Sequence, residues 1–274
     1  MFPLSQTSAL VLVCDRISYQ SPKTKEFLSY LDLSAGQKMY NKIQHLKPHL
    51  DEIIPNRKFI IHNYIRKIIK EGETQIINLA CGWDPILVKM QEEFPKNSFF
   101  GLDNESITLQ KKLVQKIMPH SRIFYINEDI KAVDKLINKL KQNSWTPKKP
   151  TCLIIEGISY YIPPNIFWNS LKALKENIKA ECFICGDFLV DWEQQKVSSL
   201  SKKIGLDIFE MIKETCHHNY YPYTKDHLIE NLKNLSFEKI EVRTQDEIQE
   251  KRTGISDPWK KEEGHIYVFS AKSV

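Results

Sequence analysis

The chain has 274 residues, 42% hydrophobic and 27% charged, enough for one large α/β domain with an ample core. No apolar run approaches the length of a membrane span, and the stretch Ala9–Cys14 is too short for a signal h-region and lacks a basic n-region, so a cytosolic protein with no membrane contact is expected. The formal charge of +5 is scattered over pairs such as Lys111-Lys112, Lys148-Lys149 and Lys202-Lys203, which read as solvated faces and argue against a nucleic-acid partner.

The first seventy residues read as helical, with no clear strand. Ser21-Pro22 starts a helix that runs to Leu28, serine before proline being an amino-terminal signal. Ser34 to Leu46 is a second helix. Pro55-Asn56 precedes a longer one, about Arg57 to Glu71, ended at Gly72, with Phe59, Ile60, Tyr64, Ile68 and Ile69 as its apolar face. After Gly72 strands at 75–80, 98–102, 122–126, 151–155 and 181–187 alternate with helices at about 84–94, 104–118, 130–142 and 164–178, the rhythm of a parallel, doubly wound sheet. Beyond Phe188 the rhythm breaks. A helix-rich insertion from Asp191 to about Cys216 is expected, then a helix near Lys225–Asn234, a strand at 236–243, a polar loop at 244–263 and a last strand from His265 to Ala271. The late strands suggest an antiparallel addition at the sheet edge. One domain therefore divides into a helical cap (1–72), a cofactor-binding core (73–188), a helical insertion or lid (189–235) and edge strands (236–274).

Six cysteines are scattered along the chain. Cys182-Phe-Ile-Cys185 has redox-motif spacing, but it lies in a strand, where residues three apart face opposite sides. No second pair completes a zinc site, so the cysteines read as buried and structural, and no metal is expected.

The segment Gln75-Ile-Ile-Asn-Leu-Ala-Cys-Gly-Trp-Asp-Pro85 carries the most information. An apolar strand runs into the small-residue turn Ala80-Cys81-Gly82, and apolar residues then recur at helical spacing at Ile86, Leu87, Met90 and Phe94. Strand, tight turn and helix let backbone N–H groups approach a ligand, and a large Cβ would block that approach. The second strand ends in Asp103, placed to accept the hydroxyls of a ribose. The third ends in Asn127-Glu-Asp-Ile130, the fourth in Glu156-Gly-Ile-Ser-Tyr-Tyr-Ile-Pro163 and the fifth in Gly186-Asp187-Phe188. Ligands of an open parallel sheet sit beyond the carboxyl ends of its strands. Asp103, Asp129, Glu156 and Asp187 gathered there suit a ligand with hydroxyls, an amine and a positive charge, and suit a pyrophosphate poorly. This favours S-adenosylmethionine over a nicotinamide dinucleotide.

These same segments, 75–85, 100–103, 128–130 and 156–163, together with Asn56-Arg57 at a helix start and Arg16 near the amino terminus, resemble the leucine carboxyl methyltransferase family, which includes bacterial polyketide O-methyltransferases. The resemblance covers about Thr7 to Phe188. It implies a class I methyltransferase fold, an α/β Rossmann-like sheet of seven strands, mostly parallel with an antiparallel last pair. It also implies roles. Arg57 pairs with the methionine carboxylate, a fork-shaped charge match; Ala80 and Gly82 form the turn under the cofactor; Asp103 holds the ribose; Asp129 and Ile130 contact the adenine; Glu156 faces the amino-acid end; Tyr161 sits near the transferred methyl group. The chain departs from the family at Ala80, where glycine is usual, at His62 and Asn63, where bacterial members often carry acids, and at Trp83, which is bulkier than is common.

Methyl transfer from a sulfonium needs alignment and desolvation more than acid–base help. A carboxylate acceptor requires no base. A phenol does, and His217 and His218, in the aromatic loop Thr215-Cys-His-His-Asn-Tyr-Tyr-Pro-Tyr-Thr224, are the candidates. The expected function is an S-adenosylmethionine-dependent O-methyltransferase acting on a carboxylate or hydroxyl of a small molecule or peptide terminus. The alternatives are a binding module that keeps the pocket without the chemistry, and a dinucleotide-dependent oxidoreductase, disfavoured by the missing glycines.

Overall fold

The computed structural model describes residues 1–273 except 16, 46–49, 105–106, 192, 195–201, 204–205, 207–209, 211–212, 214–218 and 262. The cap contributes α1 (Gln6–Cys14), α2 (Pro22–Ser29), α3 (Ser34–Ile43) and α4 (Leu50–Glu71), with two short strands, β1 (Phe2–Pro3) and β2 (Leu31–Asp32), paired in parallel. The core follows as β3 (Gln75–Leu79), α5 (Ile86–Glu93), β4 (Phe99–Asp103), α6 (Ile107–Ile117), β5 (Ile123–Asn127), α7 (Val133–Gln142), β6 (Thr151–Ile155), α8 (Pro164–Asn177) and β7 (Cys182–Leu189). The chain closes with α9 (Lys225–Asn234), β8 (Phe237–Arg243), α10 (Gln245–Thr253) and β9 (Ile266–Ser273).

The seven-stranded sheet has the order β5-β4-β3-β6-β7-β9-β8. Strands β3 to β7 are parallel, and β9 runs antiparallel to both neighbours. From β3 the chain builds outward through β4 and β5, then returns to the other side of β3 for β6 and β7. This reversal opens a crevice at the carboxyl ends of β3 and β6, where side connections diverge to opposite faces. Strand alternation divides the core: Ile76, Phe99, Cys152, Ile154 and Cys185 face α4, α5 and α6, while Ile77, Leu79, Leu153, Ile155 and Cys182 face α7 and α8. Cys182 and Cys185 thus lie on opposite faces, and the thiols of Cys14, Cys81 and Cys152 are buried as well. Cys216 lies outside the described residues. Among those residues no helix is long and apolar enough to cross a membrane.

Helix α1 packs tightly on α3 because position 36 is glycine; a Cβ there would lie 2.3 Å from the Ala9 carbonyl carbon. That contact helps fix α1 beside the crevice.

Three expectations change. Helix α4 starts at Leu50, seven residues before Arg57, and holds Pro55 inside it. A proline near the start of a helix removes one backbone bond, and tertiary anchors outweigh it: Ile53 is buried, and Arg252 reaches both Glu52 and Asn56 Oδ1, the latter at 2.8 Å. The expected polar loop at 244–263 contains α10. A Thr244/Glu247 capping box opens it and Gly254, at φ 88°, closes it. Its exterior is almost wholly polar, with Ile248 as a buried aliphatic, so apolar periodicity does not reveal it. The two-residue strands β1 and β2 are too short to leave a sequence pattern. The helix-rich insertion expected at 191–216 lies largely outside the described residues.

Candidate active site

The turn after β3 is built from two left-handed residues, Ala80 at φ 51° and Gly82 at φ 49°. Cys81 N–H donates to Leu102 O at 2.8 Å and Gly82 N–H donates to Asp103 Oδ2 at 2.8 Å, so the turn is tied to the end of β4. A Cβ added at Gly82 would meet nothing within 4 Å. The conformation requires a residue tolerant of positive φ, and the missing side chain leaves open room above the turn.

Beside the turn stands a wall of buried charge. Arg57, two residues past Pro55 in α4, is 4% exposed; its Nε lies 2.7 Å from Glu156 Oε1 and its Nη1 3.3 Å from Asp187 Oδ2. Lys58 is fully buried, with Nζ 2.5 Å from Glu156 Oε1 and also paired with Asp84. Asp84 accepts the Tyr19 hydroxyl at 2.5 Å and the Ile86 N–H at 2.9 Å. Asp187 accepts Gly157 N–H at 2.7 Å. Buried charges are tolerated when paired in this way, although Arg57 Nε and Glu156 Oε1 meet as an ion pair without a hydrogen bond. Burial pulls the pKa of Arg57 down, but Asp187 and Glu156 beside it outweigh that and hold it well above its usual value. Burial likewise works against Lys58, and Asp84 and Glu156 overcome it. Both cations therefore stay charged. Two cations thus meet three acidic side chains, Asp84, Glu156 and Asp187, and burial raises the pKa of Glu156 against the pull of Lys58 and Arg57.

Turn and wall enclose a cavity of about 510 Å³. Asn78 and Ala80–Trp83 line it from the turn; Arg57, Asp84, Glu156 and Gly157 from the wall; Tyr160 and Tyr161 from the segment after β6; and Ser5–Ser8, Val11 and Leu12 from α1 and its cap. Asn78 is 2% exposed and its Oδ1 has no hydrogen-bond partner among the described residues. A buried acceptor without a donor at a cavity wall calls for one from a ligand. The Tyr160 and Tyr161 rings lie 4.8 Å apart, Tyr220 packs 5.3 Å from Tyr161, and Tyr221 N–H donates to Tyr160 O at 3.0 Å. Trp83 stacks on Phe2 at 5.5 Å.

Of the residues expected in the site, Arg57, Ala80, Gly82, Glu156 and Tyr161 line this one cavity, and Asp103 is bonded to its turn. Asp129 and Ile130 do not line it: Asp129 accepts Lys131 N–H at 2.8 Å, and Ile130 packs in the apolar core. Asp187, expected at the ligand edge, is fully buried behind Arg57 and turns its carboxylate to the protein. Glu156 lines the cavity with its charge already shared between Arg57 and Lys58. His217, His218 and Arg16 lie outside the described residues. Sequence reasoning missed Lys58, Asp84, Asn78, Tyr19 and the α1 face. Asn78 and Asp84 flank the turn motif and Lys58 adjoins Arg57, so position alone could have flagged these three.

A family model described as leucine carboxyl methyltransferase matches residues 20–175, more than half of the chain. No protein of curated function matches the sequence. Among solved structures, a DUF574 family protein from Streptomyces avermitilis is 13% identical with a TM-score of 0.64, over 88% of this chain and 91% of that one. A candidate methyltransferase from Thermobifida fusca is 13% identical with a TM-score of 0.62, over 95% and 97%. Magnesium protoporphyrin IX methyltransferase from Synechocystis, with bound S-adenosylhomocysteine, is 9% identical with a TM-score of 0.52, over 88% and 95%. At these identities the structures speak for the fold alone.

Proposed function

The chain belongs to the leucine carboxyl methyltransferase family and is an S-adenosylmethionine-dependent methyltransferase; from that premise we propose that it is an O-methyltransferase whose acceptor is a carboxylate or a phenolic or other hydroxyl oxygen of a small molecule or peptide. The observation that supports this most is the cavity at the strand-order reversal, with open room over Gly82, an orphaned Asn78 Oδ1 and a wall carrying the acidic side chains Asp84 and Glu156. Those features fit a cationic nucleoside donor.

In this reading S-adenosylmethionine supplies an already activated methyl group on a sulfonium. Arg57 Nη1 is bonded to Asp187, and Nε is ion-paired with Glu156 without a hydrogen bond, so the rest of the guanidinium is left for the methionine carboxylate. Asn78 Oδ1 accepts from the ammonium, and Glu156 contributes negative charge nearby. Asp103 holds the ribose while it fastens Gly82, and Asp129 and Ile130 reach the adenine beyond the described cavity. Tyr161, with Tyr160 and Trp83, excludes water from the methyl-transfer zone, where alignment and desolvation do most of the catalytic work. A carboxylate acceptor needs no base; for a phenol, His217 or His218 takes the proton.

Calorimetric titration of S-adenosylmethionine and S-adenosylhomocysteine into wild type and Asp103→Ala tests the pocket. Wild type binds both, and the variant weakens binding about tenfold or more, the scale of a charged hydrogen bond. Absence of binding to wild type overturns the assignment. For the acceptor, labelled methyl transferred to an extract separates the oxygen types: a carboxyl ester is lost in mild base and an aryl ether survives. Donor binding without transfer to any extract favours a module that only binds.

A further inference from the structure

The segment that follows α1 is fastened to the cofactor turn and the helix it opens. Tyr19 OH donates to Asp84 Oδ1 at 2.5 Å, Lys89 Nζ donates to Ser18 O at 2.5 Å, Lys23 N–H donates to Glu92 Oε1 at 3.3 Å, and Ser21 Oγ donates to the same carboxylate. All three anchors, Asp84, Lys89 and Glu92, belong to the turn or to α5. Asp84 continues the chain of contacts, since Lys58 joins it to Glu156 on the cavity wall. Tyr19 is 2% exposed and its ring lies 5.6 Å from Lys58 Nζ, so its hydroxyl is delivered to Asp84 by packing as well as by the bond. At the other end of the segment, the N-cap Ser5 and, from α1, Ser8 and Leu12 are among the residues that line the cavity. Two residues before Asp84 stands Gly82, where the donor would rest.

Resting on the donor-site reading above, we propose that Tyr19 is a positioning residue that couples filling of the donor site to the seating of α1. Ligand contacts along Ala80–Trp83 fix the orientation of Asp84. Asp84 in turn holds Tyr19, and Tyr19 draws in the helix whose hydroxyl-bearing face completes the acceptor side of the cavity. The acceptor compartment is then finished only after the donor has bound.

The test is hydrogen exchange of the α1 amides, Ser8 to Cys14, with and without S-adenosylhomocysteine, in wild type, Tyr19→Phe and Lys89→Met. In wild type the ligand slows these amides about fivefold or more, the lower end of ordinary coupling between sites. Tyr19→Phe keeps ligand affinity within about threefold and loses the ligand-dependent slowing. Lys89→Met, which frees only Ser18 O, loses part of it and serves if Tyr19→Phe is poorly folded. Tyr64→Phe removes another α4-region hydroxyl bond, to Ala271 O at 2.8 Å, and leaves the response intact. A merely structural Tyr19 would speed exchange equally with and without ligand. Slowing that persists in both variants, or none in a wild type that binds the ligand, overturns the coupling alone. Failure of wild type to bind overturns the donor site, and the coupling falls with it.

Discussion

The two faces of the sheet are buried by different means. Under α7, α8 and α9 the cover consists of side chains such as Leu136, Leu140, Phe167, Leu171, Leu174 and Leu228, with Trp168 stacked on Phe188 at 5.5 Å. Under α4 and α5 the same kind of aliphatic core, Ile61, Ile65, Ile86 and Val88, surrounds Arg57, Lys58, Glu156 and Asp187. Apolar burial is non-directional and holds the first face without dictating the angle of any one group. Buried ions must meet a partner from another element, so the second face fixes α4 against the ends of β3, β6 and β7 in one arrangement. Stability is shared between the faces; orientation of the site belongs to one.

The sharpest way to break this comparison is Lys58→Met. It takes the cation shared by Asp84 and Glu156 out of a buried site and should cost about 3–5 kcal/mol in urea unfolding, while also weakening S-adenosylhomocysteine binding. Leu171→Ala should cost about 2–5 kcal/mol by the same measurement, with ligand affinity unchanged. Equal losses of affinity in the two variants would erase the distinction. His62 sharpens it further. Burial, with Lys58, Lys89 and Arg66 nearby, holds its pKa well below the usual 6.5. The unfolded chain takes up this proton near pH 6.5 and the folded chain does not, so stability is full above that pH and falls as pH drops below it. The slope from this one group reaches about 1.4 kcal/mol per pH unit, and His62→Gln should remove it from unfolding curves taken between about pH 7 and 5. The smallest effect is expected outside both faces. Arg66 grips Glu93 at 2.6 and 2.8 Å while partly exposed. Arg66→Ala should cost only about 0.2–1 kcal/mol, and the difference should vanish in about 1 M salt.

Legibility in the sequence follows the same line. The central strands could be read to within a residue or two because each is a short apolar run before a turn, and the site residues at their ends came with them: Ala80, Gly82, Asp103 and Glu156. Arg57 and Tyr161 were reached through the family resemblance and fall on the same cavity. The ion network was not legible, since Tyr19 and Asp84 are 65 residues apart and Lys58 and Asp84 are 26 apart, and no periodicity encodes such a meeting. It also changed the meaning of the carboxylates: a gathering that reads as a set of ligand groups is in part neutralised by the protein's own cations. Helix α10 shows the converse. Its capping box and closing glycine were in plain view, but a nearly all-polar helix attached by Asn56, Gln245 and Arg252 carries no apolar stripe.

Alanine at position 80 holds a backbone angle, φ 51°, that glycine adopts without strain. The left-handed region costs a residue with a Cβ about 1–2 kcal/mol, and glycine in its place would give back about 0.5–1 kcal/mol through a looser unfolded chain. The balance is small. Every alanine codon becomes a glycine codon by one change at its middle base, so the turn after β3 sits one nucleotide from its relaxed form, on a nearly level step across which a gene can drift in either direction.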